Sequence, residues 1–390
     1  MIALKLAYRN LVGAGLRTWL TVIVLSFSFV VIIWHRGMLE GWHQQARTDM
    51  IDWEIGGGQI WHKNYDPYDI FTLEESRGKV PAQWQGAIEA NEMMPILIDR
   101  GTIYPQGRMQ SVLLKGIPPG QKILKIPSGK LALEGEEIPA IIGTRMAVST
   151  KLNRGDLVTM RWRDVNGTFD AAEIKIVDLF KTNVPNIDNG QIWLPLERFR
   201  EMMQLPDAAT LMVVSQQNNT EYSAADWVKK PTKELLYEIE TMIRNKSIGG
   251  SILYIILMML ALLAIFDTQV LSIFRRQREI GTHIALGMTR GQVIRIFTIE
   301  GAMHGILAAI VAAMYGIPLL SMQAVNGFEL PAGSDNYGFA VAEKIFPVYS
   351  FWLIIGTVII VFVCTTIVSF IPTRRIAKLN PTDAIRGKVN

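Results

Sequence analysis

The sequence predicts an α-helical membrane protein with four transmembrane helices plus a large α+β extracytoplasmic domain inserted between helices 1 and 2. Three observations carry that expectation. Of the 390 residues 49% are hydrophobic, and a mean hydropathy of +0.23 is too apolar for an ordinary soluble protein. Four windows hold the excess: residues 18–34, 248–266, 301–322 and 348–371 contain no Asp, Glu, Lys or Arg. The charges between those windows are spread unevenly, and the imbalance sets an orientation.

The first element, residues 1–17, is a short amphipathic segment with three basic side chains, Lys5, Arg9 and Arg17, and no acid. The first span, 18–40, has an uncharged stretch of 17 residues, and a helix needs about 20 to cross a hydrocarbon core of about 30 Å. It reaches that length by running on through Gly37, Met38 and Leu39, with His35 and Arg36 reaching toward the headgroups. The residues at its outer end, "WHRGMLEGW", offer no small-x-small cleavage site, so the window reads as an anchor rather than a signal peptide. The other spans, 248–274, 299–322 and 348–371, qualify on length alone. Segment 275–298 holds five basic residues and one acid, tail 372–390 five and one, and loop 323–347 one and three. The positive-inside rule therefore places 1–17, 275–298 and 372–390 in the cytoplasm, with 41–247 and 323–347 outside. Between residues 35 and 247 there are 25 basic and 28 acidic residues. The formal net charge of +4 thus reflects topology and gives no sign of a nucleic-acid partner. The single cysteine, Cys364, excludes a disulfide framework within the chain and reads as a small apolar residue of the fourth span.

The 207 residues from 41 to 247 are enough for a core of their own. Residues 157–164 and 171–180 alternate like strands and flank Asn166-Gly167, a hairpin signal. Residues 111–117, 190–195 and 210–215 read as further strands, and 196–203 and 232–244 as helices, the second with Leu235, Leu236, Ile239 and Ile243 on one side. A division into subdomains is expected between 80 and 215. Neither 35–50 nor 232–266 contains Pro, so both flanking helices are expected to run on into this domain, with Gly249-Gly250 a weak point in the second.

No constellation for chemistry stands out. His35, His43 and His62 lack metal-ligand spacing, there is no G-x-S-x-G, and "GGG" at 56–58 lacks a strand–helix context. Glu134, Glu136 and Glu137 around Gly135 read as a solvated turn. Within the spans, Gly301, Gly305, Ala309 and Ala313 recur every four residues, a spacing that lets another helix approach closely, inside this chain or in a second one. Asp267 is expected to pair with an arginine at 275, 276 or 278. Glu300 and His304, one turn apart, read as an interfacial pair or cap ahead of a proton relay.

The stretch "RRQREIGTHIALGMTRGQVIR", residues 275–295, lies between two spans. Ile280, Ile284 and Met288 are spaced by four, Gly287 offers a helix end, and Thr289 with Gln292 makes a capping-box pattern that starts the next helix. The residues alone leave two roles open, lying on anionic lipid or docking onto a cytoplasmic partner.

This stretch resembles the signature segment of the FtsX-like permease superfamily of ABC transporters, R-x-x-E-I-G followed by A-L-G-x-T, through Arg276, Glu279, Ile280, Gly281, Ala285, Leu286, Gly287 and Thr289. Residues 6–21 resemble the family's opening, through Leu6, Ala7, Arg9, Asn10, Leu11 and Arg17. Residues 371–387 resemble its closing tail, through Pro372, Arg375, Ala377, Pro381, Ala384 and Arg386. His283 and Met288 depart from the pattern.

The resemblance, to MacB-type and LolC/LolE-type permeases, implies a non-catalytic membrane subunit. Two copies of an ABC ATPase subunit would bind below it, holding the ATP and magnesium that this chain does not. A second permease chain, as homodimer or related heterodimer, would stand alongside, among membrane lipids. Arg276, Arg278, Glu279, Ile280, Gly281, Ile284, Ala285, Leu286, Gly287, Met288 and Thr289 would form the ATPase-coupling segment. The setting implied is a cell inner membrane, with the outer domain in the periplasm meeting cargo, a chaperone or an adaptor. Residues 93–117 resemble the outer-domain entry of LolC/LolE-type chains, which puts lipoprotein or lipid-like extraction by mechanotransmission first. MacB-type export of drugs, peptides or toxins and FtsX-like signalling to a cell-wall hydrolase stand behind it.

Overall fold

The computed structural model describes residues 16–132, 135, 137–218, 220–276, 281–282, 284–329 and 344–376. Arg278, Glu279, Ile280, His283, Glu134, Glu136, residues 6–15 of the opening motif and residues 377–390 of the tail lie outside the described residues. The chain divides into two compact units, with boundaries between Trp42 and His43 and between Met242 and Ile243.

The first unit is built on four helices: α1 (Leu16–Met50), α2 (Tyr237–Arg275), α3 (Arg290–Asn326) and α4 (Phe351–Ile376). Each holds a stretch long and apolar enough to cross a membrane. Lacking proline, α1 runs unbroken to Met50 and passes into a π-helical turn, Ile51–Ile55, that ends at Gly56 with φ 63°. Likewise α2 passes through Gly249-Gly250 without a break. Val22, Leu25, Phe29 and Ile33, spaced by three and four along α1, pack in one core with Ala308 and Ala312 of α3 and Val361 of α4. The opposite faces carry exposed Trp19, Ile23 and Phe27 on α1 and Ile252, Met259 and Leu263 on α2. An apolar exterior suits hydrocarbon. The hydroxyls inside α4 cost little there, because Thr357, Thr365, Ser369 and Thr373 each donate to a carbonyl of their own helix at 2.6–2.9 Å.

The small residues of α3 are used, though not as one stripe. Gly301 and Gly305 are buried, Ala309 is half-buried and Ala313 is exposed. Steps of four advance about 400° on a helix of 3.6 residues per turn, so the row drifts off any straight face. The buried line is Gly301, Gly305, Ala308, Ala312 and Gly316. A Cβ on Gly305 would lie 2.9 Å from Thr365 Oγ1 of α4, and one on Gly316 would lie 2.8 Å from Val30 Cγ2 of α1. These small residues therefore serve two different neighbours within the chain.

The second unit is built around a nine-stranded mixed sheet. Its strands are β1 (Gly58–His62), β2 (Met93–Ile103), β3 (Gln110–Ile117), β4 (Ile138–Gly143), β5 (Leu157–Arg163), β6 (Phe169–Phe180), β7 (Gln191–Pro195), β8 (Leu211–Val214) and β9 (Trp227–Pro231). The order is β9-β1-β8-β2-β3-β7-β4-β6-β5, and β5 pairs again with β2, closing six strands into a ring. The 11-residue β2 makes this possible: Met93–Ile96 pairs with β8, and Leu97–Ile103 pairs with β3 and, at its end, with β5. Because one strand serves both halves, the sheet is continuous and residues 43–242 form one unit, not the two subdomains expected between 80 and 215.

The hairpin of β5 and β6 has the expected alternation, Val158, Met160 and Trp162 buried and the residues between exposed. Its loop is longer than a two-residue turn: Gly167 alone takes a positive φ, 84°, and the Asp164 carboxylate accepts from Thr168 N at 2.7 Å. The helix Leu196–Met203 forms where expected, with Leu196, Phe199 and Met203 buried. Alternate strand residues feed two cores. One contains Leu97, Leu114, Ile142, Met160 and Ile192; the other, on the opposite face, contains Ile96, Ile98, Ile141, Trp193 and Leu211.

Candidate functional site

The elbow between α2 and α3 is the candidate site, and its local sequence explains its shape. Residues 281, 282, 284 and 285 are helical, Leu286 N donates to Thr282 O at 2.9 Å, and Gly287 N donates to Ile284 O at 3.0 Å. At Gly287 the chain takes φ 94°, a conformation open to glycine and poor for L-residues. Two residues later Thr289 caps α3. Its hydroxyl accepts from Gln292 N at 3.3 Å, and the Gln292 side chain accepts from Thr289 N at 2.9 Å, so both arms of the capping box form.

Packing sorts the remaining residues. Ile284 and Met288 turn inward onto Val293 and Phe297 of α3, a small core of its own. Ala285 and Gly287 are exposed, and Leu286 is 79% exposed. Gly281 is buried. Among the described residues the elbow therefore presents an apolar tip, Ala285-Leu286-Gly287, with the exposed arginines 275, 290 and 295 on the same stretch of chain.

One ion pair fixes the end of α2 to α3. Arg276 Nη1 donates to Glu300 Oε2 at 2.9 Å and Oε1 at 3.3 Å, and its guanidinium carbon stands 4.9 Å from the Phe297 ring centroid. Only 7% of the Glu300 side chain is exposed. His304 is buried with Nδ1 3.0 Å from the Glu300 carbonyl oxygen, on its own helix. The Glu300 carboxylate is thus held by Arg276, while His304 meets the Glu300 backbone carbonyl. Asp267 is exposed and forms no ion pair among the described residues; of the arginines expected near it, Arg276 is engaged across the elbow and Arg278 lies outside those residues. Val293, Phe297 and the Arg276–Glu300 pairing are not singled out in the sequence. The apolar i, i+4 pair just inside the capping box was the available signal. Among the described residues no group of three His, Cys, Asp or Glu side chains could hold a metal ion.

The elbow and the helices on either side of it fall in a region with known counterparts. Residues 251–381 match the family described as FtsX-like permease C-terminal. This part of the chain is an FtsX-like permease domain. It is 22% identical over 329 residues to LolC, a lipoprotein-releasing system transmembrane protein of Neisseria meningitidis, a match spanning 77% of this chain and 76% of that one. It is 22% identical over 232 residues to the macrolide export ATP-binding/permease protein MacB of Vibrio parahaemolyticus, spanning 58% of this chain and 32% of that protein. An uncharacterized ABC transporter permease of Methanocaldococcus jannaschii is 30% identical over 124 residues, spanning 32% of this chain and 29% of its own. The chain thus matches about a third of the archaeal and MacB proteins, and most of LolC. The elbow lies inside the matched domain, and the helices on either side of it are two of the four long and apolar enough to cross a membrane.

Proposed function

We propose that this chain is the membrane subunit of an ABC transporter that works by mechanotransmission. The observation that carries the reading is the elbow: an apolar tip on a basic turn, braced behind by Ile284, Met288 and the Arg276–Glu300 pair. An amphipathic helix lying on lipid needs an outward apolar face, whereas Ile284 and Met288 are spent inward and, among the described residues of the elbow, the tip is what projects. Such a shape suits insertion into a groove of a cytoplasmic ATPase. ATP and magnesium would be held by that subunit, in two copies, since no G-x-x-x-x-G-K-[ST] occurs in these 390 residues. Closure of the ATPases would push α2 and α3 through the elbow, and the unbroken α1 and α2 would pass the motion outward. A second permease chain, identical or related, would cover the apolar surface of α2, whose hydrophobic window is 7% buried against 44% for that of α1. The setting is a cell inner membrane with both termini cytoplasmic.

Lipoprotein or lipid-like cargo is the preferred reading. The match to LolC spans more of this chain than the match to MacB, 77% against 58%. Mass spectrometry of what co-purifies with this chain from native membranes in mild detergent tests it. The expected result is an ATP-binding subunit together with an acylated protein or lipid. An ATP-binding subunit with a periplasmic adaptor or a cell-wall hydrolase would replace the cargo assignment, and no ATP-binding subunit would remove the mechanism.

A further inference from the structure

A cavity of about 1120 Å³ opens in the outer domain, on the face of the sheet away from the core that holds Leu114 and Met160. Strand register explains what lines it. Leu113 pairs with Gln191 and Lys115 with Trp193 across β3 and β7, so these four side chains share one face, with Ile98 opposite Lys115 on β2. Lys115 is buried, its Nζ is 5.1 Å from the Trp193 ring centroid, and the one carboxylate within 4 Å is Glu54, at 3.9 Å. That is long for a charge-assisted hydrogen bond, and among the described residues Lys115 forms none. The other lysines of the cavity, Lys63 and Lys230, are each held at 2.6 Å by Asp226 and Glu234. Two further buried atoms of the same wall, Gln191 Oε1 and Trp193 Nε1, have no hydrogen-bond partner among the described residues. Buried polar groups left this way call for a reason, and a buried ammonium is retained at a cost unless something pairs with it.

We infer that this cavity binds a single-chain amphiphile with an anionic end, its chain along Ile98, Leu113 and Leu211 and its carboxylate or phosphate on Lys115 and Trp193 Nε1. Burial holds the Lys115 ammonium below its usual 10.5, with Glu54 acting the other way, and an anion seated beside it would favour the charged form. The inference does not rest on the coupling mechanism, because binding is measured with no ATPase present.

The test is calorimetry on the full chain in nanodiscs of zwitterionic lipid, with empty nanodiscs subtracted. The probes are octanoate, octyl phosphate, octanol and inorganic phosphate. Saturable binding of octanoate or octyl phosphate is expected, and the tighter of the two tells a fatty-acid carboxylate from a lipid phosphate. Lys115→Met should weaken both by at least about tenfold, with octanol binding and thermal stability retained. Leu113→Trp, which fills the cavity, should abolish binding of all three chains. Equal affinity of wild type and K115M for the anions, inorganic phosphate binding as tightly as octyl phosphate, or no saturable binding would each overturn the inference.

Discussion

Replacing Gly287 with valine is expected to uncouple ATP hydrolysis from the outer domain while leaving the chain folded. The position takes φ 94°, and no atom lies within 4 Å of the place a Cβ would occupy. The penalty is therefore one of backbone alone, about 1–2 kcal/mol for an L-residue in the left-handed region and more for a β-branched one. The chain can relieve that strain only by unwinding the turn that holds Ala285-Leu286-Gly287 outward. On the proposed function Leu286 is the docking tip, so the relief would displace that contact itself. A loss of roughly 2 kcal/mol at that contact corresponds to a drop of about thirtyfold in docking affinity. Gly291, four residues on, supplies the control: it is helical, exposed and equally free of neighbours, so Gly291→Val meets no such strain. Cargo-stimulated ATPase activity of the reconstituted complex should collapse in G287V and persist in G291V. Normal stimulation in G287V would remove the elbow from the coupling route.

The second large effect is on stability. Arg276→Met should remove the guanidinium from the buried Glu300 carboxylate, a loss of about 3–5 kcal/mol for a broken buried pair. Loss of the stacking over Phe297 adds to it. In a thermal melt of the detergent-solubilised chain this predicts a fall on the order of 10 °C. Removing both charges together, R276M with Glu300→Met, takes away the buried carboxylate as well and should restore more than half of the loss. A melt unchanged in R276M would mean that water or lipid headgroups already compensate Glu300, and the pair would no longer brace the elbow.

The range of each interaction decides how much of it is legible in the sequence. The four spans were legible because hydrocarbon demands long uninterrupted apolar runs. The β5–β6 hairpin and the helix Leu196–Met203 were legible because each has one wet face and hence a period. By contrast β4, "IPAIIG", is buried along its whole length, and a short run buried on both faces has no period to read. The capping box at Thr289 and the glycine at 287 act within four residues and were read correctly. The partner of Arg276 was not, because Asp267 is near in sequence while Glu300, 24 positions away, is near in space. Lys115 was the least visible of all. In "SVLLKGI" it looks like a solvent-facing strand residue, and only the arrival of Trp193 on β7 and Glu54 on the π-helical turn makes it a buried cation.

Site-specific photocrosslinking from position 286 tests the central claim most directly. A benzophenone side chain replaces Leu286 in one variant and Met259, an exposed apolar residue of α2, in another. Both are irradiated in native membranes, and the adducts are identified by mass spectrometry. An ATP-binding subunit captured from 286 and not from 259 is the predicted result. Capture of lipid alone from 286, with the ATPase absent, would contradict the account and return the elbow to the membrane surface.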